Sequence, residues 1–137
     1  MISALDEVFG LSVAPHAPST AEVTRLCVQA AARLGIEDGH VAVEFVDEAR
    51  IGQLNAEHRG RPGPTDVLSF PIDGVQPTHE LPRELGDIVI CPAHTRDLRE
   101  AIVHGMLHLL GMDHETDDGE MLALQRELMA DGTEAAR

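Results

Sequence analysis

The sequence predicts an α+β fold in which a small mixed β-sheet is packed by helices. Apolar residues recur at helical spacing in several segments, whereas shorter alternating or continuous apolar runs between them are typical of strands. Stretches rich in proline and glycine separate these segments. With 137 residues, 43% of them hydrophobic, the chain is long enough to bury a core of its own. We therefore expect residues 1–137 to form a single small domain.

The N-terminal segment predicts one short strand and one helix. Ile2–Val13 can hold the strand, and a proline-containing loop follows it. Ser19 and Glu22 have the spacing of a capping box, in which each side chain satisfies a free backbone N–H at the start of a helix. Gly35 can end this helix in the left-handed conformation. Its expected apolar stripe comprises Val23, Leu26, Cys27, Ala30 and Leu34.

A second strand and a second helix are expected to follow. Val41–Val46 alternates between apolar and polar residues, as a half-buried strand does. Asp47 can then cap a helix that turns Ile51 and Leu54 inward and ends at about Glu57.

Two loops and two strands are expected in the middle of the chain. His58–Thr65 has the glycine and proline content of a loop and carries two arginines but no acid. Val67–Phe70 indicates a strand that is stopped by Pro71, and residues 73–84 indicate a second loop. The continuous apolar run Ile88–Cys91 is typical of a strand covered on both faces.

Two helices are expected to complete the domain. The first, at about Arg96–Leu110, contains two histidines, and the second starts at Thr116 and ends at Gly132. The residues of the last helix that are available for packing are Met121, Leu122, Leu124, Gln125 and Leu128.

The histidine helix predicts a metal site. His104 and His108 are four residues apart, so on a helix they project from one face about one turn apart. Gly111 can end the helix and let the chain fold back to deliver His114. Three neutral imidazoles with an open position are the ligand set of a catalytic zinc site. The spacing resembles the metzincin motif H-E-x-x-H-x-x-G-x-x-H, but Gly105 replaces the glutamate that acts there as general base.

Two simpler explanations compete with a metal site here. The segment Ala101–Met112 is apolar nearly all round, and a histidine in such a buried helix can be a core residue with satisfied hydrogen bonds. Glycine inside a helix lowers its stability by about 1 kcal/mol relative to alanine, so we expect Gly105 to have a compensating role. It can allow close packing against another element, and it can leave space beside the metal for a larger ligand; the two explanations are compatible.

Composition restricts the possible partners and the compartment. A net charge of −14, with no lysine, argues against generic binding to nucleic acid, because phosphate backbones attract basic surfaces. With no tyrosine or tryptophan, only Phe9, Phe45 and Phe70 can stack on a base. The N-terminal residues are acidic where a signal peptide is basic, and no apolar run is long enough to span a membrane. Cys27 and Cys91 are expected to be apolar core residues without a disulfide, so we expect a cytoplasmic protein without a membrane partner.

Four sequence blocks together resemble the YbeY family of bacterial endoribonucleases and ribosomal RNA maturation factors. They are Leu54-Asn55-x-x-x-Arg59, then Thr65–Pro71, then Leu85–Pro92, and finally His104-Gly105-x-Leu107-His108-Leu109-Leu110-Gly111-x-Asp113-His114. The blocks occur in the order that the family has, and the histidine block with its glycine is the most specific of them. The family fold is also an α+β domain.

The resemblance implies one zinc ion held by His104, His108 and His114, with Arg59 as the functional basic residue of the cleft. It implies cleavage of single-stranded RNA, maturation of the 3′ end of small-subunit ribosomal RNA, and ribosome quality control. The small ribosomal subunit or its associated factors are then the expected partner. An arginine fork suits the oxygens of a scissile phosphate, so we expect Arg59 to clamp it, although Arg59 can also be a solvated charge or a partner of Asp66.

Two other functions are compatible with the same residues. The protein can be a ribosome assembly factor with a mainly structural zinc ion, or a minimal metallopeptidase in which strand Val67–Phe70 pairs with a peptide. Gly105 counts against the peptidase because the base is missing. Asp113 and Glu115 flank the last histidine, but the sequence does not identify either as a base, and the nucleophile can be water or the 2′-hydroxyl.

Overall fold

The computed structural model describes residues 8–10, 14–37, 39–61, 63–72 and 84–135. Strands and helices alternate along the first half of the chain, and a short 3-10 turn precedes the third helix. In chain order the elements are β1 (Val8–Phe9), α1 (Thr20–Arg33), β2 (His40–Phe45), α2 (Glu48–Arg59), β3 (Val67–Pro71), β4 (Glu84–Ile90), α3 (Leu98–Leu109) and α4 (Glu120–Ala135).

The strands form one sheet in the order β1-β2-β4-β3. β2 is parallel to both β1 and β4, whereas β3 is antiparallel to β4, so the sheet is mixed. In the described part of the chain, β3 therefore has a neighbour on one side only and forms an edge of the sheet. These observations confirm the predicted α+β class and the mixed sheet.

Helices cover both faces of this sheet. Ile88 and Ile90 of β4 point into the larger core, which they share with residues of α1, α3 and α4. The alternate residue Val89 points into a smaller core on the other face, where it meets Ile51 and Leu54 of α2. This alternation follows from the two-residue period of a strand. As a result, α2 and α3 approach the edge strand β3 from opposite faces.

The predicted N-cap side chains of α1 and α2 make the expected hydrogen bonds. The Ser19 hydroxyl accepts a hydrogen bond from the Glu22 N–H at 3.1 Å, and the Asp47 carboxylate accepts one from the Arg50 N–H at 2.9 Å. At the other end of α1, Gly35 has φ +78°, the left-handed conformation expected of a helix-ending glycine. The predicted stripe of α1 is buried except for Leu34, which is partly buried.

The end of α2 differs from the prediction in a way that affects the site. The helix continues to Arg59, and the left-handed Gly60 at φ +65° ends it. Because the Gly60 N–H bonds to the Asn55 carbonyl, the last turn is closed and not frayed. His58 and Arg59, which were predicted to lie in a loop, are therefore held on a helix.

Other element boundaries also differ from the prediction. Pro71 belongs to β3 and does not stop it, since an edge strand needs no N–H on its open side. β4 begins at Glu84 and α3 at Leu98, where the Asp97 carboxylate caps the helix.

The last helix differs at both of its ends. It begins at Glu120, not Thr116, because the Asp113–Asp117 segment forms a hydrogen-bonded turn. It then passes through Gly132, and Leu122 is exposed.

Some predictions fall on residues outside the described ranges. Within the expected strand Ile2–Val13, only residues 8–10 are described, and the predicted loop 73–84 is described only at Glu84.

Cys27 and Cys91 are both fully buried, and burial raises the pKa of the Cys27 thiol to about 12. Within the described ranges, every helix is too short or too polar to span a bilayer.

Candidate metal centre

Three imidazoles meet where α3 ends. His104 and His108 project from one face of α3, and the Leu110 cap and left-handed Gly111 (φ +96°) turn the chain so that His114 faces them. The Nε2 atoms of His104 and His108 are 3.2 Å apart. One nitrogen from each of the three rings lies within 4.8 Å of the others, so the group can hold a metal ion. The structure thus brings together all three predicted ligands.

Hydrogen bonds orient two of the three rings. The Met112 carbonyl lies 3.0 Å from Nδ1 of His108, and because a carbonyl only accepts, that nitrogen must carry the proton. Nδ1 of His104 lies 2.8 Å from Oε1 of Gln125, which accepts in the same way. When both rings are neutral, both Nε2 atoms therefore present lone pairs to each other. Two lone pairs at 3.2 Å repel unless a cation lies beside them, and a metal ion satisfies both.

The remaining features of the triad also fit a metal ion. Nδ1 of His114 is buried and has no hydrogen-bond partner in the described part of the chain, an arrangement that costs about 1–3 kcal/mol. Burial, reinforced by the neighbouring His104, lowers the pKa of His108 and favours its neutral, ligating form. The explanation of the histidines as satisfied core residues is therefore not supported.

Gln125 is a functional candidate, although its sequence position predicts only packing in the last helix. It is 9% exposed, and its side-chain amide reaches from α4 to His104. The available signal was a polar side chain in an otherwise apolar stripe, since buried polar groups need partners.

Gly105 is explained by close packing. A Cβ at this position would lie 2.6 Å from Cγ2 of Ile88 and 3.2 Å from Oγ of Ser69. The Ser69 hydroxyl also donates to the Gly105 carbonyl at 2.9 Å, which ties α3 to β3. Because Gly105 faces the sheet, its missing side chain does not create space beside the imidazoles.

A groove of about 800 Å³ runs from the imidazoles across the open edge of β3. The last turn of α2 forms the opposite side, so Arg59 and the histidine triad share one groove. Arg61 lies in the same groove, and all five residues of β3 line it. Arg59 lies on α2 and not in the predicted loop, and its position across from α3 follows from the fold.

The acids of the groove are largely engaged with the backbone. Asp66 accepts from the Val67 N–H at 2.8 Å and makes no ion pair with Arg59 in the described structure. The Asp113 carboxylate accepts from the Glu115 N–H at 3.0 Å. Asp113 thus caps the turn that carries His114.

Comparisons with known proteins place the chain in one family. Residues 14–132 match the family described as Endoribonuclease YbeY. A protein named Endoribonuclease YbeY from Micrococcus luteus is 42% identical, with 73% of this chain and 75% of that protein covered. Proteins of the same name from Geobacillus kaustophilus and Pseudomonas entomophila are each 40% identical, with coverage of 79% and 84% of this chain and 83% and 81% of their own lengths. A solution structure from Thermotoga maritima has 27% identity and a TM-score of 0.49, covering 93% of this chain and 86% of its own, and carries no functional argument.

Proposed function

This chain belongs to the Endoribonuclease YbeY family, and on that premise we propose that it cleaves single-stranded RNA with the help of a metal ion. The observation that carries the proposal is the groove that holds three converging imidazoles on one side and Arg59 on the other. Membership of a family of endoribonucleases disfavours both alternatives, the assembly factor with a structural zinc ion and the metallopeptidase. Gly105 argues separately against the peptidase, because its side-chain position is filled by packing.

We propose zinc as the metal, held by His104, His108 and His114. Three neutral imidazoles suit zinc, and the hydrogen bonds on Nδ1 of the first two leave their Nε2 lone pairs free for it. When bound, such an ion supplies Lewis acidity toward a phosphoryl oxygen and generates hydroxide near neutral pH.

Arg59 is proposed to bind the scissile phosphate. Its guanidinium is exposed in the groove and stands on the last turn of a closed helix, so its backbone is fixed. A planar guanidinium can donate two parallel hydrogen bonds to phosphate oxygens, and it opposes the negative charge that grows on them in the transition state. Arg61 adds a second positive charge to the same side of the groove.

The charge of the chain supports delivery of the RNA by a partner. A net charge of −14 gives little long-range attraction for a polyanion, so contact depends on the local arginines of the groove. We propose that the substrate is the 3′ region of small-subunit ribosomal RNA, presented in the cytoplasm by the small ribosomal subunit or its associated factors.

The proposal is tested by cleavage of a single-stranded RNA from that 3′ region. The wild type is compared with Arg59→Glu and with the control Arg126→Glu, which makes the same charge change on an exposed residue of α4 outside the groove. All three proteins are shown to carry equal metal. We expect cutting by the wild type and the control, and a loss of about 100-fold or more for Arg59→Glu, the range seen when a charge-stabilising donor is removed.

Each other outcome has a defined meaning. Equal cutting by Arg59→Glu would exclude the phosphate-binding role, and cutting that survives chelation would exclude the metal. A cyclic phosphate on the product would identify the 2′-hydroxyl as nucleophile, whereas simple phosphate and hydroxyl ends would identify water. If free RNA is not cut but RNA within the small subunit is, the partner presents the substrate.

A further inference from the structure

Two rings from different elements meet in the groove beside Arg59. The imidazole of His58, in the last turn of α2, lies edge-on to the phenyl ring of Phe70 on β3, with centroids 5.0 Å apart and planes at 68°. Apart from the histidine triad, this is the one ring pair among the described residues. Both rings line the groove that also holds the triad.

The pair is open to a ligand. His58 is exposed, and its ring nitrogens have no hydrogen-bond or ion-pair partner within the described ranges. Phe70 is partly buried because one side of it packs on the smaller core, while the rest lines the groove. A fixed phenyl ring and a free imidazole therefore stand together at a surface that faces the substrate.

Among the described residues, Phe70 is the one phenylalanine that lines the groove. The sequence has no tyrosine or tryptophan and only three phenylalanines. Phe45 is 2% exposed in the core, and Phe9 lies in β1, at the opposite edge of the sheet from β3. The phenyl ring available in the groove therefore stands on the side that also carries His58 and Arg59.

We propose that His58 and Phe70 form a stacking subsite for one unpaired nucleobase of the RNA chain, next to the nucleotide whose phosphate binds Arg59. The proposal rests on the proposed function. Unpaired bases stack on aromatic side chains, whereas bases in a duplex already stack on each other. Because His58 and Arg59 are consecutive residues of one helix, a base and a phosphate of adjacent nucleotides can be held by one rigid element. This subsite gives an acidic protein an affinity for single strands that does not depend on net charge.

The test combines protein variants with RNAs that lack a single base. Cleavage of a single-stranded RNA is measured for the wild type, His58→Ala and Phe70→Leu, where leucine retains packing on the smaller core. The control is His16→Ala, an exposed histidine before α1 that lies outside the groove. An abasic nucleotide is placed in turn at each position around the cleavage site.

We expect one abasic position to raise KM of the wild type by about 5- to 150-fold, the range for loss of one stacked base. His58→Ala and Phe70→Leu should raise KM on intact RNA with little change in kcat, and the same abasic position should then have no further effect. His16→Ala should behave as the wild type does. An abasic effect that persists in full in both variants, or no sensitive position in the wild type, would overturn the proposal.

A second measurement separates this inference from the proposed function. If the wild type binds the RNA without cutting it, 2-aminopurine is placed at each position and its fluorescence is read in the complex. Quenching at one position, lost in His58→Ala and Phe70→Leu, would support the stacking subsite although the nuclease proposal had failed. Fluorescence that is unaffected at every position, or an absence of any RNA binding, would overturn the subsite.

Discussion

Replacement of Gln125 by leucine removes the hydrogen bond that orients His104 from α4. The bond is 2.8 Å long, and Gln125 is 9% exposed, so water cannot easily take its place. Outer partners of metal-binding histidines contribute 10- to 100-fold to metal affinity, or about 1.4–2.8 kcal/mol. Leucine has a similar volume but leaves the Nδ1–H of His104 without its acceptor, so the metal-free fold should lose about 1–3 kcal/mol of stability.

The assay is competition for zinc against a chromophoric chelator at pH 7. Gln125→Leu should bind about 10- to 100-fold more weakly than the wild type. Gln125→Glu should retain the affinity, since a carboxylate accepts the same bond from Nδ1 of His104. The neighbouring exposed residue offers a control, Arg126→Ala, which should bind as the wild type does. Equal affinity for Gln125→Leu and the wild type would refute the idea that α4 orients the ligand.

Three further predictions concern stability. Gly105→Ala should lower the free energy of unfolding by about 1–2 kcal/mol in urea, because overpacking against β4 outweighs the gain in helix propensity; an unchanged midpoint would contradict this. Hydrogen bonds from Arg99 and then Arg25 lower the pKa of Glu22 from 4.5 to about 2, so its stabilisation is present above pH 4.5 and is lost as the pH falls toward 2. Glu22→Gln should therefore lower the free energy of unfolding, measured in urea, by about 1 kcal/mol at pH 7. The difference from the wild type should shrink as the pH is lowered. Zinc at 100 times its Kd should stabilise the wild type by about 2.7 kcal/mol in thermal unfolding, an effect expected to be greatly reduced in His108→Ala.

The convergence of the three imidazoles could be predicted because its determinants are local. The spacing of His104 and His108 within one helix fixes their common face, and Gly111 permits the turn that brings in His114. The same holds for the start of α1, where the Ser19 side chain accepts from a backbone N–H three residues away. Such features depend on a few consecutive residues, which is the information that a single sequence carries most reliably.

The other side of the groove could not be predicted because it depends on contacts between distant residues. Nothing in the sequence near Arg59 places it opposite the triad; that requires α2 and α3 to lie on opposite faces of the sheet, with β3 at the edge. The bond from Gln125 to His104 joins residues 21 apart along the chain, and depends on how α4 packs on α3. The need for glycine at position 105 also depends on a distant residue, because a side chain there would clash with Ile88 on β4.

The residues proposed to bind the metal and those proposed to bind RNA therefore come from opposite faces of the sheet. On one face, α3 and α4 hold and orient the imidazoles, while on the other α2 presents His58 and Arg59. Only the edge strand β3 lies between them, so substitutions on α2 should change RNA binding and cleavage without changing zinc affinity. Gln125→Leu should weaken zinc binding, and at saturating zinc its KM for RNA should equal the wild-type value. If Arg59→Glu also weakened zinc binding, the two sides of the groove would be energetically coupled. The loss of cleavage in Arg59→Glu would then no longer identify a phosphate contact.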